Sequence, residues 1–172
     1  SQIGDESAFR ELLGRYSPRV LSFVRKMLTD APERAEDIAQ EVWIAIFRGL
    51  PTLLDVTKFK PWAFRIARDR IYRELRKRKL PVQSSDPFAL EELPDVSPTE
   101  PLIDADEIEC CLRAISPEHR EVLVLRYFEE MDYEEISRTI NSTLGTVRSR
   151  IHYAKRALRR AFDDKLYELK PE

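Results

Sequence analysis

DYEEISRTINSTLGTVRSRIHYAKRAL, running from Asp132 to Leu158, decides how this chain is built. Asp132 and Glu135 hold the D-x-x-E spacing of a capping box, which predicts a short helix through Ile140. Asn141 tolerates the left-handed conformation and can turn the chain there. Ser142 is then placed to cap a long helix running past Leu158. Leu144, Val147, Ile151, Ala154 and Leu158 recur at helical spacing and form an apolar stripe. The opposite face shows Arg148, Ser149, His152, Tyr153, Lys155 and Arg156, with no acid between Gly145 and Arg160. Two helices joined by so tight a turn, the second one basic, have the outline of a helix-turn-helix. Such a helix fits the major groove, where Arg reads guanine and Ser or His exchanges hydrogen bonds with base edges. The plainer reading, a solvated basic helix, carries less weight because the caps and turn coincide.

Charge along the rest of the chain follows the same theme. Arg65, Arg68, Arg70, Arg73, Arg76, Lys77, Arg78 and Lys79 are set against Asp69 and Glu74. From Leu80 to Leu112 there is no Lys, Arg or His, and nine acids appear. A formal net charge of −2 conceals this basic, acidic, basic order, which is a nucleic-acid cue. Four glycines in 172 residues and 35% charged residues favour helices over a turn-rich sandwich or barrel, and an all-α fold is expected.

Five of the eleven prolines (Pro81, Pro87, Pro94, Pro98, Pro101) fall among Ser, Asp and Glu. Proline removes donors and disfavours helix in its predecessor, so residues 81–103 read as an extended acidic linker. It separates a unit at 1–80 from a unit at 104–170 and lets the two change separation at little cost. In the first unit Phe9, Leu12, Leu13, Tyr16, Val20, Phe23, Val24 and Met27 recur at helical spacing. Asp30 and Glu33 form a second D-x-x-E pair around Pro32, opening a helix through Ile38, Val42, Ala45 and Ile46 that Gly49-Leu50-Pro51 is expected to stop. A third helix carries Phe59, Ala63, Ala67, Ile71 and Leu75, with Pro61 in its first turn. In the second unit Ser116-Pro117 starts a helix with a cap and an N1 proline.

On the third helix Arg65, Arg68, Tyr72, Arg76 and Lys79 share a face beside the apolar stripe. Cations interleaved with an aromatic suit phosphates plus exposed bases, a single-strand preference. Phe59 weighs toward the core, and Trp62 divides evenly between core and base stacking.

Catalysis finds no support. His119, His152 and the vicinal pair Cys110 and Cys111 lack zinc-site spacing, and no Gly-rich phosphate loop or nucleophile–base pair is present. The expectation is therefore no enzyme, no cofactor, no metal and no small-molecule substrate. No apolar run approaches the ~18–20 residues that span a bilayer and no signal peptide opens the chain, so a reducing cytoplasm is expected. The chain begins at Ser1 rather than Met, consistent with a trimmed leader.

Several segments together resemble a known family. Asp37-Ile-Ala-Gln-Glu-Val-Trp-Ile-Ala-Ile-Phe47 and Phe59-Lys-Pro-Trp-Ala-Phe-Arg-Ile-Ala-Arg68 are similar to region 2 of bacterial extracytoplasmic-function sigma factors of the sigma-70 family. Leu112-Arg-Ala-Ile-Ser-Pro-Glu-His-Arg-Glu-Val-Leu-Val-Leu-Arg126 resembles the start of their region 4. Tyr133 to Arg138 and Leu144 to Leu158 resemble its helix-turn-helix. The resemblance covers nearly the whole chain, in family order. It implies a promoter-specificity subunit that binds core RNA polymerase through the β′ clamp helices and the β flap, recognises promoter DNA, and is held inactive by an anti-sigma factor.

By the same resemblance Asp37, Gln40 and Glu41 bind the clamp helices. Their i, i+3, i+4 spacing places them on one helical side, although Asp37 and Glu41 also suit plain solvated charges. Loop 51–58 with Phe59, Trp62, Arg65, Arg68, Asp69, Tyr72 and Arg76 matches the part that opens and holds the −10 element. Arg148, Ser149, His152, Tyr153, Lys155 and Arg156 match the −35 reader. Three positions depart from the family pattern. Asp69 stands where Asn is common, Asn141 replaces the usual turn Gly, and Thr143 sits where many members have Pro. Loop residues 53–57 are also more apolar than usual. The alternatives from other classes are a stand-alone helix-turn-helix regulator, with 1–80 as a dimerisation or effector module, and a helical adaptor that binds protein only.

Overall fold

The computed structural model describes residues 2–78 and 105–168, and among them only helices and turns occur. Three long helices form the first unit: α1 (Gln2–Met27), α2 (Ala35–Gly49) and α3 (Phe59–Lys77). Four form the second: α4 (Ala105–Ala114), α5 (Pro117–Leu123), α6 (Tyr133–Ile140) and α7 (Leu144–Glu168). The expected acidic linker, together with Lys79, lies outside the described residues. Among the described residues no helix is long and apolar enough to cross a membrane.

Periodicity becomes core directly in the first unit. Val20, Phe23, Val24 and Met27 of α1, Ile38, Val42 and Ile46 of α2, and Ala63, Phe64, Ala67 and Ile71 of α3 are all buried. Phe23 meets Phe64 edge-on with ring centroids 5.3 Å apart, a geometry that adds to the area term. In the second unit Val122 to Leu125, Met131, Ile136, Val147, Ile151 and Ala154 bury together, with α5 packed along α7.

Three local expectations need correction. Asp30 and Glu33 do not cap α2. Pro32–Arg34 is a 3-10 turn that begins after Ala31, Arg34 precedes α2 without a side-chain cap, and Glu33 instead approaches Arg78 at 3.4 Å. α2 does end at Gly49 as expected, but not by a left-handed turn, since the chain stays right-handed into a further turn at Leu50–Thr52. The missing side chain of Gly49 serves packing: a Cβ there would lie 3.0 Å from Cζ2 of Trp62. The long helix is capped by Thr143 rather than Ser142, with Thr143 Oγ1 accepting from the Thr146 amide at 3.2 Å.

The two units also share a seam, in which α6 and α5 pack on α3 and α1. Arg120, almost fully buried, stitches that seam. Its guanidinium donates to the Leu112 carbonyl at 2.6 Å, to Ile115 at 3.1 Å, and across the seam to the Met27 carbonyl and Thr29 Oγ1, both at 2.9 Å. These carbonyls close the ends of α4 and α1, where helices leave acceptors unpaired. Arg19 of α1 makes a second stitch, donating to the carboxylate of buried Glu129 at 2.8 Å and to its carbonyl at 2.9 Å.

Candidate nucleic-acid interfaces

The helix-turn-helix forms from local chemistry. Asp132 Oδ1 accepts from the Glu135 amide at 2.7 Å while Glu135 Oε2 accepts from the Asp132 amide at 3.0 Å, the reciprocal capping box. Asn141 ends α6 at φ 52°, ψ 53°, the left-handed conformation that Asn visits more readily than most residues. Val147, Ile151 and Ala154 then anchor α7 inward. Leu144 departs from the expected stripe and stays 40% exposed.

On the outer face of α7, Arg148 and Arg156 are exposed. Ser149 is half-buried and its hydroxyl donates back to the Gly145 and Thr146 carbonyls, both at 3.1 Å. His152 is half-buried beside Tyr153, ring centroids 5.5 Å apart, and its Nε2 is buried without a partner. Lys155 lies 5.8 Å from the Tyr127 ring centroid. Two arginines thus project freely from this face, while Ser149 and Lys155 are engaged at rest.

The α3 surface is arranged differently. The loop before it is shaped by Asp55, which accepts from Thr57 Oγ1 at 2.6 Å and from its amide at 3.0 Å. Those hydrogen bonds, with Lys58 alongside, lower the Asp55 carboxyl to about 2. Leu54 and Val56 flank it, 99% and 79% exposed. Phe59 is buried against Tyr16, centroids 5.1 Å apart, so the core reading describes its place in the fold. Trp62 is half-buried between Phe59 and Gly49.

Of the expected −10 surface, Arg65, Asp69 and Arg76 are exposed. Arg68 and Tyr72 are not free. The Arg68 guanidinium sits 4.7 Å over the Tyr72 ring, and its Nε lies 2.8 Å from Oε1 of Glu121, an α5 residue. Its N–H does not point at that oxygen, so the contact is an ion pair rather than an aligned hydrogen bond. The Tyr72 hydroxyl donates to the other Glu121 oxygen at 3.1 Å. Tyr72 is 5% exposed and Glu121 is fully buried. Burial, then the Glu121 charge, raises the Tyr72 hydroxyl above its ordinary range. Burial also pushes the Glu121 carboxyl up to about 7, against the opposing pull of Arg68, Tyr72 and Arg150.

Asp37, Gln40 and Glu41 all face solvent on α2. Asp37 pairs with Arg34 at 2.7 Å and Glu41 with Arg70 at 3.5 Å, exposed contacts that stabilise little. The same side continues into Ile44 and Phe47, 51% and 61% exposed, with Phe47 against the Phe9 ring at 5.0 Å. The sequence reading missed both. Their signal was position, since they fall outside the stripe of Ile38, Val42 and Ile46. Cys110 is exposed and Cys111 buried, and no cluster of three His, Cys, Asp or Glu able to hold a metal occurs among the described residues.

Comparison with known proteins agrees with this division into units. Residues 12–80 match the family described as Sigma-70 region 2, and residues 105–158 match Sigma-70, region 4. The chain is 32% identical to the RNA polymerase sigma-H factor of Pseudomonas aeruginosa, over 97% of this chain and 92% of that one. It is 32% identical to the ECF RNA polymerase sigma-E factor of Escherichia coli, over 91% and 87% of the two chains. It is 28% identical to the ECF RNA polymerase sigma factor SigW of Bacillus subtilis, over 94% and 92%. Its fold is similar to that of the sigma factor RpoE crystallised with the anti-sigma factor NepR from Bartonella quintana, with a TM-score of 0.72 at 23% identity, covering 91% of this chain and 97% of that one.

Proposed function

This chain belongs to the extracytoplasmic-function sigma factors of the sigma-70 family, and from that premise we propose how its surfaces divide the work of promoter recognition. Residues 1–80 bind core RNA polymerase and the −10 element, 81–103 link, and 104–170 bind the −35 element. On α2, Asp37, Gln40 and Glu41 dock on the β′ clamp helices, with Ile44 and Phe47 adding apolar area beside the charges. Region 4 also meets the β flap.

On α7, Arg148 reads a base pair in the major groove, and Arg156 and Lys155 neutralise phosphates. Ser149, His152 and Tyr153 complete that surface, with Ser149 available once its backbone bonds are exchanged. On α3, Arg65, Arg68 and Arg76 meet the phosphates of the opened −10 strand, Tyr72 and Trp62 face its bases, and Asp69 tunes which base is accepted. Phe59 supports Trp62 from beneath. Duplex opening costs a few kcal/mol per step, offset by stacking of about 1–3 kcal/mol per base.

The chain acts in the cytoplasm as a dissociable subunit, without cofactor, small-molecule substrate or catalysis of its own, and an anti-sigma factor restrains it. The observation that carries this reading is the coexistence in one chain of two basic helices and an exposed acidic side on α2, which a stand-alone regulator does not need. Run-off transcription with purified core polymerase on genomic promoter fragments tests it. Specific transcripts that require the chain are expected. None with an active core preparation, alongside duplex binding by the chain alone, points to the stand-alone regulator.

A further inference from the structure

The seam between the units falls on part of the surface assigned to the −10 strand. From α5, Glu121 meets both Arg68 and Tyr72, 49 residues from the latter in sequence. Glu118 of the same helix is near enough to raise the Tyr72 hydroxyl further, and both its carboxylate oxygens are buried without a hydrogen-bond partner. Two carboxylates therefore face a helix side whose cation and aromatic suit a phosphodiester and a base. Around this contact α6 covers the start of α3, where Thr139 Oγ1, bonded to the Glu135 carbonyl at 2.8 Å, lies 3.4 Å from the Pro61 carbonyl and Glu135 lies 4.0 Å from Lys60. On the far side of the seam Arg19 grips Glu129.

We propose that the free chain locks itself: Glu121 occupies Arg68 and Tyr72 in place of nucleic acid, so that α5 and α6 must leave α3 before the −10 strand can enter. This rests on the reading of Arg68 and Tyr72 as −10 contacts. The lock is built to open. Its central Arg68–Glu121 contact is misaligned, and burial favours the neutral carboxyl over the charged one, so the closed form is held by shape and several stitches rather than by one strong bond. Opening exposes Glu121 to water and frees Arg68 together with Tyr72, completing a surface on which Arg65, Asp69 and Arg76 are already exposed.

The test uses the full-length chain at pH 6.5, with solution scattering for shape and a dye-labelled oligothymidylate for single-strand affinity. Two variants attack the lock from different sides. Glu121→Lys places a cation against Arg68 and Arg150, and Arg19→Glu places an acid against Glu129, at a residue not assigned to DNA contact. Both are checked for retained helicity by circular dichroism. Glu121→Gln, which keeps the volume and the partner for Tyr72, is the closed control. The wild type and Glu121→Gln are expected near the ~16 Å radius of a compact chain of this length, and the two opening variants at a larger radius.

If about nine in ten wild-type molecules are closed, opening raises apparent oligonucleotide affinity about tenfold. Folded opening variants that keep the wild-type radius overturn the lock. So do variants that expand without gaining affinity, since the seam then guards nothing. Failure of the sigma reading shows separately, as a wild-type chain that supports no transcription with core polymerase.

Discussion

Helices α3 and α7 read alike in sequence, each basic on one side and apolar on the other, yet the structure treats them differently. On α7 Arg148 and Arg156 stand clear of the protein. On α3 Arg68 is tied to a carboxylate at 2.8 Å and Tyr72 is 5% exposed. The contrast teaches that charge patterning locates a binding face but not its availability. Acids from elsewhere in the chain bear on that: Glu121 meets Arg68 and Tyr72 directly, with Glu118 beside it.

Breaking the seam where it is most heavily bonded gives the largest effect. Arg120→Met removes the donor shared by the Leu112, Ile115 and Met27 carbonyls, and each acceptor left buried without a partner costs about 1–3 kcal/mol. A total loss of about 3 kcal/mol or more is expected in urea unfolding, with both units affected. Stability within ~0.5 kcal/mol of wild type would mean that the seam carries little.

Protonation of Glu121 sharpens the comparison next. Between pH 4.5 and about 7 the unfolded or opened chain has released this proton while the closed chain holds it. Stability and closure therefore fall as pH rises through that window, by up to about 3 kcal/mol for one group. Glu121→Gln has no such proton, so the difference between its urea midpoint and that of the wild type should widen in favour of Gln from pH 4.5 to 7. A constant difference would show that Glu121 titrates as an exposed carboxylate.

At the open helix, Arg148→Ala should cost about 1–3 kcal/mol in duplex affinity and relax preference at one base pair. Arg68→Ala should leave duplex binding by the free chain unchanged, because its site is shut. Equal losses from both would erase the distinction between the helices. Smallest in stability is Asp37→Lys with Glu41→Lys, within about 0.5 kcal/mol because both side chains face water. The same double variant should lose affinity for core polymerase in a pull-down titration, and unchanged binding would remove α2 from the docking surface.

What the sequence discloses tracks how local the physics is. The Asp132–Glu135 box and the left-handed Asn141 involve neighbours three residues apart or a single backbone conformation, and both are present as expected. Spacing alone misleads at Asp30–Glu33, where Pro32 favours a separate 3-10 turn and Glu33 finds Arg78 instead. Gly49 ends α2 as its sequence suggests, but nothing local shows the Trp62 ring that crosses it. Thr143 takes the cap from Ser142 by one residue, within the ordinary ambiguity of adjacent hydroxyls. Glu121, Arg120 and the Arg19–Glu129 pair carry no periodic signal at all, since each acts across the acidic stretch on a helix whose own pattern is satisfied without it. Ile44 and Phe47 were legible only as apolar residues left over once the core stripe of α2 was assigned.

Arginine modification followed by mass spectrometry tests the contrast between the two helices most directly. Phenylglyoxal applied to the free, full-length chain reports guanidinium access residue by residue. Arg148 and Arg156 should react promptly, Arg68 should be protected many-fold, and Glu121→Lys should bring Arg68 to the rate of the other two. Arg68 reacting as fast as Arg148 in the wild type would contradict the account, because both basic helices would then be open.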